Sequence, residues 1–143
     1  MGDAENAGWA LRGIRAYAEG DIEPVLGRVR PDAEWWPPVA RVQGAPYVGP
    51  DGVERWKADL REAFEWLRTD DVEVRTRPGV VLVRGRFRAR ARESGVEIAE
   101  PILHVFRFDG GMVAAYESIL QPTAKVLEKH GWEDAVPQEA DGA

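Results

Sequence analysis

Residues Glu100–Gln121 read EPILHVFRFDGGMVAAYESILQ. Two runs of strand-forming residues flank Asp109-Gly110-Gly111, so the stretch predicts a long β-hairpin. Its first arm holds His104, the histidine that falls inside a predicted strand, and its second arm holds Tyr116 and Ser118. Taken as a three-residue loop, the turn sets Phe108 opposite Met112. His104 then faces Tyr116, Ile102 faces Ser118 and Glu100 faces Leu120.

Alternation sorts the first arm into two faces. Ile98, Glu100, Ile102, His104, Phe106 and Phe108 share one; Ala99, Pro101, Leu103, Val105 and Arg107 share the other. Both are partly apolar, and the aromatic face is the better candidate for an interior. Glu100 and His104 would then be polar groups on an otherwise apolar wall.

Upstream, Val80–Arg92 alternates more sharply. Val81, Val83, Gly85, Phe87, Ala89 and Ala91 lie on one face, and Arg84, Arg86, Arg88, Arg90 and Arg92 on the other. The arginine face has two readings, a surface for an anionic partner or a face paired with carboxylates on adjoining strands such as Glu97. A formal net charge of −6 favours the second and argues against a nucleic-acid partner.

Working back to the N-terminus, Asp3 is placed to cap a helix reaching about Glu19, with Ala7, Leu11, Ile14 and Ala18 on its apolar side. A second, short helix starts at Asp21 and ends at Pro31. A strand follows over Ala33–Trp36 and is closed by Pro37-Pro38. Val39–Pro50 reads as a loop. Asp51 to about Arg68 reads as the clearest helix, with Asp51 and Glu54 spaced as a capping box and an apolar stripe through Val53, Trp56, Leu60, Phe64 and Leu67. Val72–Arg77 is the next strand, ahead of Val80–Arg92, Val96–Phe108 and Met112–Leu120. Thr123–Lys129 gives a last short helix.

Helices, one strand, a helix and then consecutive antiparallel strands make an α+β pattern. The expected architecture is a curved mixed or antiparallel sheet with helices on its concave face, a cone enclosing a cavity. One domain covers residues 3–132, and 133–143 is expected to be a disordered tail. No apolar run reaches the roughly 20 residues of a membrane span, and the acidic start lacks a secretory pattern, so the expected location is cytoplasmic. Cysteine is absent and only two histidines occur, so neither a metal site nor any other cofactor is expected.

The chain resembles the SnoaL-like family of the nuclear-transport-factor-like, or ketosteroid-isomerase-like, superfamily. The resemblance runs from about Trp9 to Trp132. It rests on Ala18-Glu19-Gly20-Asp21-Ile22-Glu23, Pro31-Asp32-Ala33-Glu34-Trp35, Gly49-Pro50-Asp51-Gly52-Val53, Ser94-Gly95-Val96-Glu97-Ile98, His104 to Gly111 and Lys125 to Gly131. It implies the same cone fold and a homodimer through the outer sheet face. It implies less about activity. The isomerases' tyrosine position falls near Gly13, their base near Pro37 and their strand acid at His104. The cyclases' histidine matches His104, but their last-strand carboxylate falls near Ser118. The Asp-Arg-Asp set of the epoxide hydrolases has no counterpart.

The candidate catalytic residues are therefore His104, Tyr116 and Glu100. His104 would be the acid–base group, Tyr116 its orienting partner or an oxyanion donor, and Glu100 a second carboxylate at the mouth. Tyr17, Trp35, Trp56, Phe87, Ile102, Phe106, Ser118 and Leu120 are the expected lining. The expected partner is a small apolar, carbonyl-bearing molecule. Three functions fit: an isomerase, cyclase or lyase; a ligand-binding or accessory protein; and a structural dimer whose His104 satisfies a buried tyrosine.

Overall fold

The computed structural model describes residues 2–138. Its elements run α1 (Asp3–Glu19), α2 (Glu23–Leu26), β1 (Val29–Trp36), α3 (Pro38–Gln43), β2 (Tyr47–Val48), α4 (Gly49–Ala63), β3 (Phe64–Arg77), β4 (Val80–Ala91), β5 (Glu97–Asp109), β6 (Met112–Leu120), α5 (Ala124–Lys129) and β7 (Val136–Gln138). The strands form one sheet in the order β2-β1-β6-β5-β4-β3-β7. Among the described residues only the β1–β6 pair is parallel. Helices α1 and α4 pack on the concave face, which is the α+β cone that the element order implies.

Several boundaries differ from the sequence reading, each for a local reason. Pro31 does not end a helix; it lies inside β1, where the ladder to β6 skips from Val29 to Glu34 and needs no donor from it. The Val39–Pro50 loop holds a short helix, α3, and a two-residue strand, β2. Helix α4 stops at Ala63 rather than Arg68. Phe64–Thr69 instead pairs with β4 from Ala91 back to Phe87, so sheet pairing overrides the helical spacing of Phe64 and Leu67. Neither expected acidic cap forms. Gly2 and Val48 hold the N-cap positions, and Asp3 and Asp51 sit in the first turns, where they complement the helix dipole. Gly49 is at φ +68, and a Cβ there would lie 2.5 Å from the Pro31 carbonyl oxygen. Gly49→Ala is therefore expected to cost roughly 1–3 kcal/mol in urea unfolding; an unchanged midpoint would contradict the tight β1–α4 junction.

The β5–β6 register departs from expectation by two residues. The turn is two residues, Gly110-Gly111, both at positive φ, with Asp109 paired to Met112. A bulge follows, since Arg107 pairs with Ala115 while Phe108 pairs with Val113. The tighter turn shifts the register by one residue and the bulge by a second. His104 thus pairs with Ser118, Phe106 with Tyr116 and Ile102 with Leu120.

The outer face is not bare. Leu82, Leu103 and Val105 point outward and are covered by Leu127, Trp132 and Ala135 from the C-terminal segment. This explains why β5 reads as apolar on both faces. Arg75 and Arg84 lie over the Trp132 ring, 4.2 and 5.6 Å from its centroid. Within the stretch expected as a tail, Val136–Gln138 forms an edge strand on β3; residues 139–143 lie outside the described residues. The arginine row is matched mainly from β3, not by Glu97. Arg88 reaches Asp70 at 2.9 Å and Arg90 reaches Glu65 at 3.3 Å. Arg92 donates to the carbonyls of Arg61 and Phe64, and Arg86 to that of Ala99.

Candidate functional site

Inside the cone lies a cavity of about 220 Å3. Every lining residue expected from the sequence is on its wall: Tyr17 from α1, Trp35 from β1, Trp56 from α4, Phe87 from β4, Ile102 and Phe106 from β5, and Ser118 and Leu120 from β6, together with His104 and Tyr116. Glu100 is not. It pairs with Phe87 one step beyond Ile102 and is half-buried. The lining that sequence reasoning missed includes Phe64, Leu67 and Thr69 from β3, the Pro37-Pro38-Val39 corner, and Trp9, Gly13 and Ile14 from α1. Phe64 and Leu67 were absorbed into a helical stripe. The only signal for Thr69 was its two-residue spacing from Leu67.

No Asp, Glu, Lys or Arg lines the cavity among the described residues. Aromatic rings make much of the wall. Trp35 stacks on Tyr116 with centroids 4.7 Å apart, and Tyr17, Trp56 and Phe106 continue the cluster. The polar groups gather on one side. His104 Nδ1 is 2.6 Å from the Tyr116 hydroxyl, and His104 Nε2 is 3.1 Å from Thr69 Oγ1. Tyr116 is not directly opposite His104; the bulged register sets it diagonally, still within reach of the ring. Ser118, two residues on from Tyr116 in β6, completes the polar group on the wall. On the opposite wall, Tyr17 donates its hydroxyl to the Val53 carbonyl at 3.0 Å.

Burial sets the charge state. His104 is 7% exposed, and desolvation pulls its pKa down to about 3. The imidazole is neutral at physiological pH. Burial likewise pushes the Tyr116 hydroxyl well above its ordinary value, with Ser118 and Arg41 opposing. A stability signature follows. Below about pH 6.5 the unfolded chain takes up a proton at His104 that the folded chain refuses. Stability therefore falls as pH drops toward 3, by roughly 1.4 kcal/mol per unit from this group. Urea unfolding at pH 7 and pH 5 is expected to show a steeper loss in the wild type than in His104→Gln. Equal losses would contradict a buried neutral ring.

The second histidine belongs elsewhere. His130 Nε2 sits 3.3 Å from Glu117 on the outer side of β6, and Glu117 also pairs with Arg41 of α3 at 2.8 Å. Arg41 further donates to the Ser118 carbonyl at 2.7 Å, which ties the α3 corner of the cavity to β6. No three His, Cys, Asp or Glu side chains converge as metal ligands do among the described residues. No helix among them is long and apolar enough to cross a membrane.

Comparison with known proteins places this geometry. The SnoaL-like domain model matches residues 10–116, most of the chain. Among solved structures, TerC co-crystallised with polyporic acid superposes with a TM-score of 0.70 at 21% identity, covering 86% of this chain and 98% of that one. An NTF2-like protein of unknown function from Burkholderia pseudomallei gives 0.71 at 21%, covering 90% and 97%. A proposed SnoaL-like polyketide cyclase from a Jannaschia species gives 0.71 at 17%, covering 90% and 94%. At these identities the likeness concerns the fold. No curated protein matches the chain. With its family model spanning α1 to β6 and its cone shared with these structures, the chain belongs to the SnoaL-like family.

Proposed function

We propose that this protein binds a small, uncharged, largely apolar molecule carrying a carbonyl or similar accepting oxygen. One observation carries the reading: the cavity wall is uncharged, mostly aromatic, and polar at a single patch formed by Thr69, His104, Tyr116 and Ser118. An ionised ligand would lose its hydration with no opposite charge to meet, so it is disfavoured. Size narrows the class. A dry cavity of about 150 Å3 holds benzene, and this one is about 220 Å3, which suits a substituted ring or a small bicycle. The fold is shared with a protein co-crystallised with polyporic acid and with a proposed polyketide cyclase, which supports a small-molecule role.

A second reading adds chemistry: acid–base isomerisation, cyclisation or a related step, with His104 and Tyr116 as the acting groups and Glu100 at the rim. The 2.6 Å His104–Tyr116 contact favours it. The neutral, buried ring is a weak base, so the chemistry would rely on hydrogen bonding to a substrate oxygen rather than on proton abstraction by His104. Native mass spectrometry of the purified protein is expected to show a neutral small molecule that denaturation releases. Once its turnover can be followed, a folded His104→Phe variant that turns it over at the wild-type rate would remove the catalytic reading.

We propose also that the protein is a homodimer through the outer sheet face. The C-terminal segment covers part of that face, which leaves the β1–β6 side around Trp36, Arg107 and Ala115 for a second copy. Light scattering at micromolar concentration is expected to give twice the 15.9 kDa chain mass; a monomer would overturn the proposal.

A further inference from the structure

We propose that Thr69, not His104, presents the hydrogen-bond donor that fixes an accepting oxygen of the ligand, and that His104 acts on the ligand through it. This rests on the proposed ligand-binding role of the cavity.

Two distances fix the donors along Tyr116, His104 and Thr69. The Tyr116–His104 contact of 2.6 Å is shorter than N–H···O bonds run and suits an O–H donor. The phenol therefore donates to Nδ1. The proton of a neutral imidazole then resides on Nε2, and the 3.1 Å separation to Thr69 Oγ1 suits N–H···O donation. Ser118 lies two residues on from Tyr116 in β6, on the same face, and opposes the upward shift of the phenol. The series runs one way: Tyr116 to His104, His104 to Thr69. Each bond polarises the next. The Thr69 hydroxyl proton is left over, on a residue that lines the cavity and has no further hydrogen bond among the described residues.

Other donors are spent or turned away. Tyr17 donates to Val53. The indole N–H groups of Trp9, Trp35 and Trp56 have no partner but are buried within the wall, out of contact with the cavity space. Both His104 nitrogens are occupied. A ligand could bond His104 directly only by displacing Thr69 or Tyr116.

The fold also holds Thr69 firmly. Asp70, next in sequence and facing outward, is clamped by Arg68 and Arg88, each at 2.9 Å. A bulge follows, with Asp71 at φ +54. Across the ladder, Gly85 leaves the space that the threonine methyl takes; a Cβ there would lie 2.8 Å from Thr69 Cγ2. Gly85 is thus the gap in the Val81-Val83-Gly85-Phe87 face that lets a polar group reach His104. A donor backed by such a series selects a ligand with an accepting oxygen over its hydrocarbon counterpart.

Two measurements test this. The first needs no ligand: nitrogen NMR of His104 in the purified protein at neutral pH. The expected result is a protonated Nε2 and a bare Nδ1. A protonated Nδ1 would reverse the series and overturn this inference while leaving the proposed cavity function standing. The second is calorimetric titration with 1-tetralone, a bicyclic ketone, and with tetralin, the same rings without the oxygen. Wild type is expected to prefer the ketone about threefold to tenfold. Thr69→Val should abolish that preference, and Thr69→Ser should keep it. A preference that survives Thr69→Val, or is absent from wild type, would overturn the inference alone. If neither probe binds, the cavity function falls and takes the inference with it.

Discussion

Replacing Gly13 by phenylalanine is expected to weaken 1-tetralone binding at least a hundredfold while the protein stays folded. Gly13 lies buried in α1 on the cavity wall, at the position where the resemblance to ketosteroid isomerases sets a tyrosine. A Cβ at this glycine would meet only Val25 Cγ1, at 3.8 Å. Any larger side chain must therefore grow into the cavity. A benzene ring needs a cavity of about 150 Å3, so one phenyl group takes up most of the 220 Å3 present. The fold should tolerate the change, because leaving glycine favours the helix; the gain is about 1 kcal/mol for alanine. Gly13→Ala serves as the control. It should raise the melting temperature by roughly 3–4 °C and keep most of the affinity. A folded Gly13→Phe variant that binds the ketone like wild type would show that the ligand sits elsewhere.

The second large effect concerns stability. Trp132→Ala is expected to cost about 3–5 kcal/mol, measured by urea unfolding. The indole is 2% exposed and covers the outward-facing Leu82, Leu103 and Val105, with Leu127 and Ala135 beside it. Its ring also carries Arg75 and Arg84, and its carbonyl accepts from Arg75 at 2.8 Å. Truncation would remove this cover and leave two guanidinium groups without their aromatic surface. A loss below about 1 kcal/mol would mean that the C-terminal segment does not close the outer face in solution.

The division between what could and could not be read from the sequence follows the range of the interactions. Strict alternation in β4 fixed which side of Val80–Ala91 faces inward, because period-two patterning is a local property. The placement of His104 beside Phe106 and Ile102 was legible for the same reason. The register was not. Asp109-Gly110-Gly111 is compatible with both a two-residue and a three-residue connection, and the bulge at Ala114 leaves no mark in composition. The His104–Tyr116 contact emerges anyway, because a diagonal neighbour across a sheet is still within reach of two long side chains. Thr69 was hidden by a different conflict. Phe64 and Leu67 satisfy helical spacing, and only pairing with β4 makes that stretch a strand. The cover on the outer face depends on Trp132 and Ala135, which lie beyond the last periodic segment and gain meaning only once Leu82 and Leu103 are side by side.

The same long-range logic links the arginine row to the cavity. The row is an internal clamp in which Arg88 holds Asp70, and through it the strand segment that carries Thr69. Surface pairs of this kind contribute little to global stability.

A crystal structure of the protein grown with 1-tetralone tests the central claim most directly. The expected result is the bicycle inside the cone among Trp35, Trp56 and Phe106, with its carbonyl oxygen within hydrogen-bond distance of Thr69 Oγ1 and the His104 ring still bound to Tyr116. A ketone bound outside the cone, or inside it with its oxygen turned to the apolar wall, would contradict that claim.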